Sequence, residues 1–98
     1  MSYSITIAET AEDDVRKAYL WYEEHLENLG DRFKKHFSKA VESIRDNPFK
    51  TQVRYETTRV FFLKKFPYGL HFRVSGNNIL IVAVFHTSLN PHKWKKRK

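Results

Sequence analysis

The chain reads as an α+β domain. A short N-terminal strand leads into an antiparallel helical hairpin, which packs on one face of a mostly antiparallel sheet of about four strands. Two observations predict this order. Apolar residues recur at helical spacing from Ala11 to Ile44, and beyond Thr51 they gather into short runs broken by turn residues. At 98 residues the chain has room for one core and is expected to form a single domain over residues 1–98.

From Ser2 to Ile7, Tyr3, Ile5 and Ile7 alternate with Ser4 and Thr6, the period of a half-buried strand. Thr10 is placed to cap the first helix, with Asp13 in the capping-box position and Glu12, Asp13 and Asp14 at the positive end of the dipole. Ala11, Val15, Ala18, Tyr22 and Leu26 share one helical face, while Lys17, Glu23, Glu24 and Glu27 take the other. Trp21 and the Tyr19/Tyr22 pair read as helix-packing residues rather than a ligand platform. Gly30 punctuates this helix, and Asp31 is placed to cap a second whose buried stripe is Phe33, Phe37, Ala40, Val41 and Ile44. Asn47-Pro48 ends it, because proline cannot continue the hydrogen-bond ladder.

Thr51 to Tyr55 and Arg59 to Phe66 form two strand-like runs or one broken run. Tyr68 to Ser75 and Asn78 to His86 form a hairpin across Gly76-Asn77. Ile79 to Phe85 is apolar throughout, as expected of a strand central in its sheet. In its neighbour Leu70, Phe72 and Val74 point one way and His71 and Arg73 the other.

The net charge of +7 is unevenly spread. Residues 1–48 hold seven Lys/Arg against ten Asp/Glu; residues 49–98 hold eleven Lys/Arg against Glu56 alone. A positive C-terminal half predicts an anionic partner, either nucleic acid or an acidic protein segment. The absence of cysteine excludes disulfides, thiolate nucleophiles and Cys-type zinc sites, and fits a cytoplasmic protein. The start lacks a secretory signal pattern, and the longest apolar run is too short to span a bilayer. The spacing of His71, His86 and His92 matches no metal-ligand pattern, so neither a metal nor a small-molecule cofactor is expected.

His86 is the leading catalytic candidate, because imidazole exchanges protons near neutral pH and a strand end places it at the sheet's rim. With Arg59, Arg73 and Tyr68 it would make a reduced acid/base and phosphate-binding set. The plainer alternative is that His86 caps its strand and bonds the tail around Pro91 and Trp94. The candidate partner-binding residues are Arg59, Lys64, Lys65, Tyr68, His71, Arg73, Trp94 and Arg97. Arginine suits bidentate recognition of carboxylate or phosphate, although cross-strand pairing with Glu56 or with helix acids would also account for Arg59 and Arg73.

One further pattern spans nearly the whole chain. Ala11 with Asp14, Trp21-Tyr22, Leu29-Gly30 with Arg32-Phe33, and Asn47-Pro48 occupy the first half. Arg59, Phe66-Pro67-Tyr68, Ala83-Val84 with His86, and Pro91, Trp94 and Arg97 follow in the second. In this order and spacing the chain resembles the ParE/RelE toxins of type II toxin–antitoxin modules, some of which serve in plasmid stabilisation. The resemblance implies a toxin neutralised by a small antitoxin encoded beside it. It also implies one of two targets: DNA gyrase, poisoned by binding in ParE-like members, or messenger RNA on the ribosome, cleaved in RelE-like members. In the RelE-like case His86, Arg59 and Arg73 would be catalytic. Gly69 and Leu89 stand where RelE-like relatives often carry arginine, and the Phe66-Pro67-Tyr68 and Pro91-to-Arg97 elements lean toward the ParE-like branch. An inactive relative that only partners an antitoxin in operon autoregulation is a third expectation.

Overall fold

A computed structural model describes residues 3–96. The elements run β1 (Ser4–Ile7), α1 (Glu9–His25), α2 (Leu29–Asp46), a 3-10 turn (Pro48–Lys50), β2 (Val53–Tyr55), β3 (Thr58–Phe62), β4 (Tyr68–Ser75), β5 (Asn78–His86) and a final 3-10 segment (Pro91–Lys96). The sheet has five strands in the order β1-β5-β4-β3-β2. β1 is parallel to β5 and every other pairing is antiparallel. The expected α+β architecture is therefore present, with one strand more than the sequence suggested.

Both helix starts differ from expectation. α1 begins at Glu9 on Ala8, with no side-chain cap from Thr10. Ala8, the one residue between β1 and α1, still bonds β5, its N–H donating to the Ile81 carbonyl at 2.9 Å, so the helix starts almost as soon as the strand ends. α2 begins at Leu29 on Asn28, whose φ of 69° is left-handed, and Gly30 and Asp31 lie inside its first turn. Its cap comes from the preceding helix: Glu23 Oε1 accepts from Gly30 N at 2.9 Å and from Asp31 N at 3.4 Å. This serves the same orphan N–H groups as a local cap and ties the hairpin together. Leu26, expected in the buried stripe, is the C-cap of α1 and is exposed.

β3 stops at Phe62 rather than Phe66. The next residues turn, with Leu63 N–H donating to the Tyr68 carbonyl at 2.9 Å, and they drop Leu63 and Phe66 into the core. There Phe66 meets Tyr22 and Phe33 edge-on, with ring centres 5.0 and 5.4 Å away, and Tyr68 closes the group at 5.2 Å from Phe33. Phe33 is fully buried, and truncating such a ring costs about 3–5 kcal/mol. This aromatic cluster joins α1, α2 and the β3–β4 turn, and it fixes one wall of the cleft described below.

β4 and β5 pair along their full length, but Val82 is an extra residue, since His71 faces Ala83 and Phe72 faces Ile81. Before this bulge Ile79 and Ile81 face the helices; after it Val84 and His86 do. The run is apolar throughout because the far face is covered as well, Phe85 meeting the buried His71 ring that Trp94 also meets. The β4–β5 turn has a positive φ at Gly76 (57°) and not at Asn77, the pattern of a type II′ hairpin.

The face away from the helices is not open along its length. His71 is only 1% exposed, its Nδ1 lies 2.9 Å from the Tyr55 hydroxyl, and its ring is met by Phe85 and Trp94. The final 3-10 segment supplies that tryptophan, and so lies over the sheet instead of extending into solvent. No helix is long and apolar enough to cross a membrane among the described residues.

Candidate functional site

A cleft of about 700 Å³ lies between α1 and the C-terminal end of β5. It exists because β1 is short. The last β1 pairing is Ile7 with Ile81, so the outer edge of β5 beyond that point has no strand beside it. α1 lies there instead, and Asp14 Oδ2 accepts from Val84 N–H at 2.9 Å, satisfying a ladder donor that β1 does not reach. Ala18, Tyr22, Val84 and Tyr68 form the floor, while Lys17, Trp21, Pro67, His86 and Leu89 stand around the rim.

Trp21 is 54% exposed. It stacks on His25 with ring centres 3.8 Å apart, and that histidine is held by its Nδ1, 2.7 Å from the Trp21 carbonyl oxygen. By sequence Trp21 belongs to helix packing, Lys17 to the outer helix face and Asp14 to the dipole end, and nothing there marks them or Leu89 as lining one cleft. For Trp21 itself the signal was present in part: it lies one helical step off the Ala11–Ala18–Tyr22 stripe. Burial, and to a lesser degree the nearby Asp14 carboxylate, raises the Tyr68 phenol above its ordinary value. Burial followed by the neighbouring Tyr68 does the same for Tyr22. Both phenols are therefore neutral donors at physiological pH.

His86 faces the cleft edge-on to Tyr68, with ring centres 5.2 Å apart. Its Nδ1 accepts from Ser88 N–H at 3.0 Å and lies 2.8 Å from Ser88 Oγ. A backbone N–H can only donate, so Nδ1 is the bare nitrogen and the neutral ring carries its proton on Nε2. His86 therefore closes the turn after its strand through Ser88, not through Pro91 or Trp94, and it offers a hydrogen-bond donor from Nε2.

The remaining candidates lie elsewhere. Arg73, opposite Leu80, is on the face away from the helices and donates from Nε to Thr58 Oγ1 at 3.2 Å. Arg59, opposite Phe72, is on the helix side, with Nη1 donating to the Thr51 carbonyl at 2.5 Å. Strand spacing puts it on the order of 15 Å from His86. The bulge at Val82 is the reason His86 and Arg73 are separated: an uninterrupted alternation would have put both on one face. The expected set of His86, Arg59 and Arg73 is thus not assembled. Of the partner-binding candidates, Tyr68 is in the cleft and Lys64 and Lys65 are exposed in the β3–β4 turn. His71 is buried, Trp94 covers it, and Arg97 lies outside the described residues. A side chain at Gly69, where RelE-like relatives often carry arginine, would crowd its neighbours, since a Cβ there would stand 2.9 Å from Val60 Cγ1. Among the described residues no three His, Asp or Glu side chains are grouped to hold a metal ion.

The comparisons with known proteins agree with this architecture. No curated protein sequence matches the chain. A chain in the structure of the chromosomal ParDE toxin–antitoxin system from P. aeruginosa superposes with a TM-score of 0.78 at 17% identity, covering 87% of this chain and 96% of that one. A chain of the RelBE2 toxin–antitoxin complex from Mycobacterium tuberculosis gives 0.61 at 18% identity, covering 88% and 99%. At such identities the likeness is one of fold. The sequence itself goes further: residues 5–91 match the family described as ParE toxin of type II toxin-antitoxin system, parDE. That span runs from β1 to the start of the last 3-10 segment, so it takes in the whole helical hairpin, the full sheet and the cleft between them, and the chain belongs to the ParE toxin family.

Proposed function

We propose that this protein is a cytoplasmic toxin that a cognate antitoxin neutralises, and that it acts by binding and poisoning DNA gyrase rather than by cutting RNA. The tautomer of His86 carries this reading. Attack by a 2′-hydroxyl needs a base with a free lone pair and a cation over the phosphorane. With Nδ1 taken by Ser88, His86 turns a protonated Nε2 outward. Arg59 and Arg73 lie on opposite faces of the sheet and do not converge with His86 on one phosphate. An apolar cleft rimmed by Lys17, Trp21 and an imidazole N–H suits a protein ligand that brings an apolar side chain and an acceptor. The match to the ParE toxin family supports the antitoxin partner and the non-hydrolytic branch.

Gyrase supercoiling with and without the purified protein tests this directly, and inhibition weakened by Trp21→Ala is the expected result. In parallel, ribosomes programmed with labelled messenger RNA are incubated with the protein. Specific cuts that disappear in His86→Ala would overturn the proposal in favour of the RelE-like ribonuclease. Expression that leaves growth unaffected would point to an inactive antitoxin-binding relative. A short neighbouring reading frame encoding an acidic, amphipathic segment is expected for the antitoxin.

A further inference from the structure

A second built surface lies at the far edge of the sheet from the cleft. β2 is an outermost strand, and Val53 and Arg54 are exposed on it. Val53 in this strand is 47% exposed, and Phe49 and Phe62 beside it are 57% and 42% exposed. Each phenylalanine carries a guanidinium: Arg59 lies 5.0 Å from the Phe49 ring centre, and Arg54 lies 5.3 Å from that of Phe62. The two stacks are on opposite faces. Arg59 is opposite the core residue Phe72, whereas Phe62 is opposite Gly69, whose neighbour Leu70 points to the helices. Neither arginine has an ion-pair partner among the described residues. From residue 49 to 65 five basic side chains face Glu56 alone.

We propose that this edge is a docking surface for an extended acidic segment of a partner protein. The segment lies along β2 and places one carboxylate on Arg54 and another on Arg59, one on each face of the sheet. A guanidinium resting on a ring keeps its N–H rim free for bidentate carboxylate binding. Donation to Thr51 holds Arg59 in place and leaves its other N–H groups available. A guanidinium over each phenylalanine takes one of the two ring faces on which a base would stack, which favours a peptide over a nucleic acid. The edge strand adds main-chain groups that a peptide can pair and a phosphodiester cannot. β2 is three residues long and bulged, so main-chain pairing is short and the charged contacts set the specificity. Successive strand residues point to opposite faces, so the acids of the ligand must be an odd number of positions apart. This inference does not depend on which target the toxin has.

Fluorescence anisotropy of labelled hexapeptides with the full-length protein at low salt tests it. The peptide Thr-Glu-Val-Thr-Glu-Val, with acids three apart, is compared with Thr-Glu-Val-Glu-Thr-Val, with acids two apart, and with a Gln-for-Glu version of the first. The first is expected to bind about fivefold more tightly than either of the others, and Arg54→Gln or Arg59→Gln each to cost about fivefold. Equal affinity for the two spacings would overturn the proposal, as would indifference to both substitutions in variants with unchanged circular dichroism. The peptide comparison uses the unaltered protein, so it stands even if a variant misfolds. Tighter binding of labelled oligo-dT that is lost with the same two arginines would reassign the edge to nucleic acid and refute it.

Discussion

Replacing Gly30 with alanine sets two physical effects against each other. Gly30 sits buried in the first turn of α2, where alanine is the better helix former by up to about 1 kcal/mol. A Cβ there would stand 2.6 Å from both the Tyr19 carbonyl oxygen and Glu23 Cγ, and 2.7 Å from Tyr19 Cδ1. Glu23 can swing aside only by releasing the Gly30 N–H that it caps, a loss of about 1 kcal/mol. The Tyr19 carbonyl is backbone and cannot swing, so the helices must separate by about 0.8 Å to reach ordinary contact, which overpacking data put at about 1–3 kcal/mol. The expected net is a destabilisation of about 2 kcal/mol, a fall in Tm of roughly 8–15 °C for a domain of this size. Thermal and urea unfolding followed by circular dichroism measure it. Glu23→Ala, which removes the cap without adding bulk, should lose about half as much. An unchanged or raised Tm for Gly30→Ala would refute the claim that close helix approach, rather than local propensity, sets this hairpin.

Asp14→Ala orphans the Val84 N–H and should cost about 1–3 kcal/mol, with Asp14→Asn milder because the amide oxygen still accepts; hydrogen exchange at the Val84 amide should quicken in the same order. Tyr22 and Tyr68 have folded-state pKa values above the ordinary 10.0. Below that value both states hold the protons; above it the unfolded chain ionises first, so stability should be level up to about pH 10 and fall as the pH rises further. Tyr68→Phe should flatten that alkaline slope in urea midpoints. Gly69→Ala should lose about 1 kcal/mol through its 2.9 Å approach to Val60 Cγ1. Combining it with Val60→Ala should recover part of this penalty, a coupling that a double-mutant cycle reads directly.

The sequence by itself determined the element order, the two helical stripes, the hairpin at Gly76-Asn77 and the basic second half, because each is written in local periodicity, turn chemistry or charge. Its family pattern also held Asp14 and Tyr68 at their positions, although their contacts were not legible. Tertiary structure alone decided how the helix ends are satisfied, since Glu23 caps α2 from another helix, seven residues before Gly30. It alone decided that β1 joins β5 in parallel, leaving the stretch of edge where Asp14 meets Val84 and the cleft opens. The bulge at Val82 was decided there too, and with it the face that His86 presents. An unbroken apolar run carries no mark of an extra residue, because every position in it tolerates burial on either side. Strand register is a contest between whole faces of the sheet, and only the assembled layers resolve it.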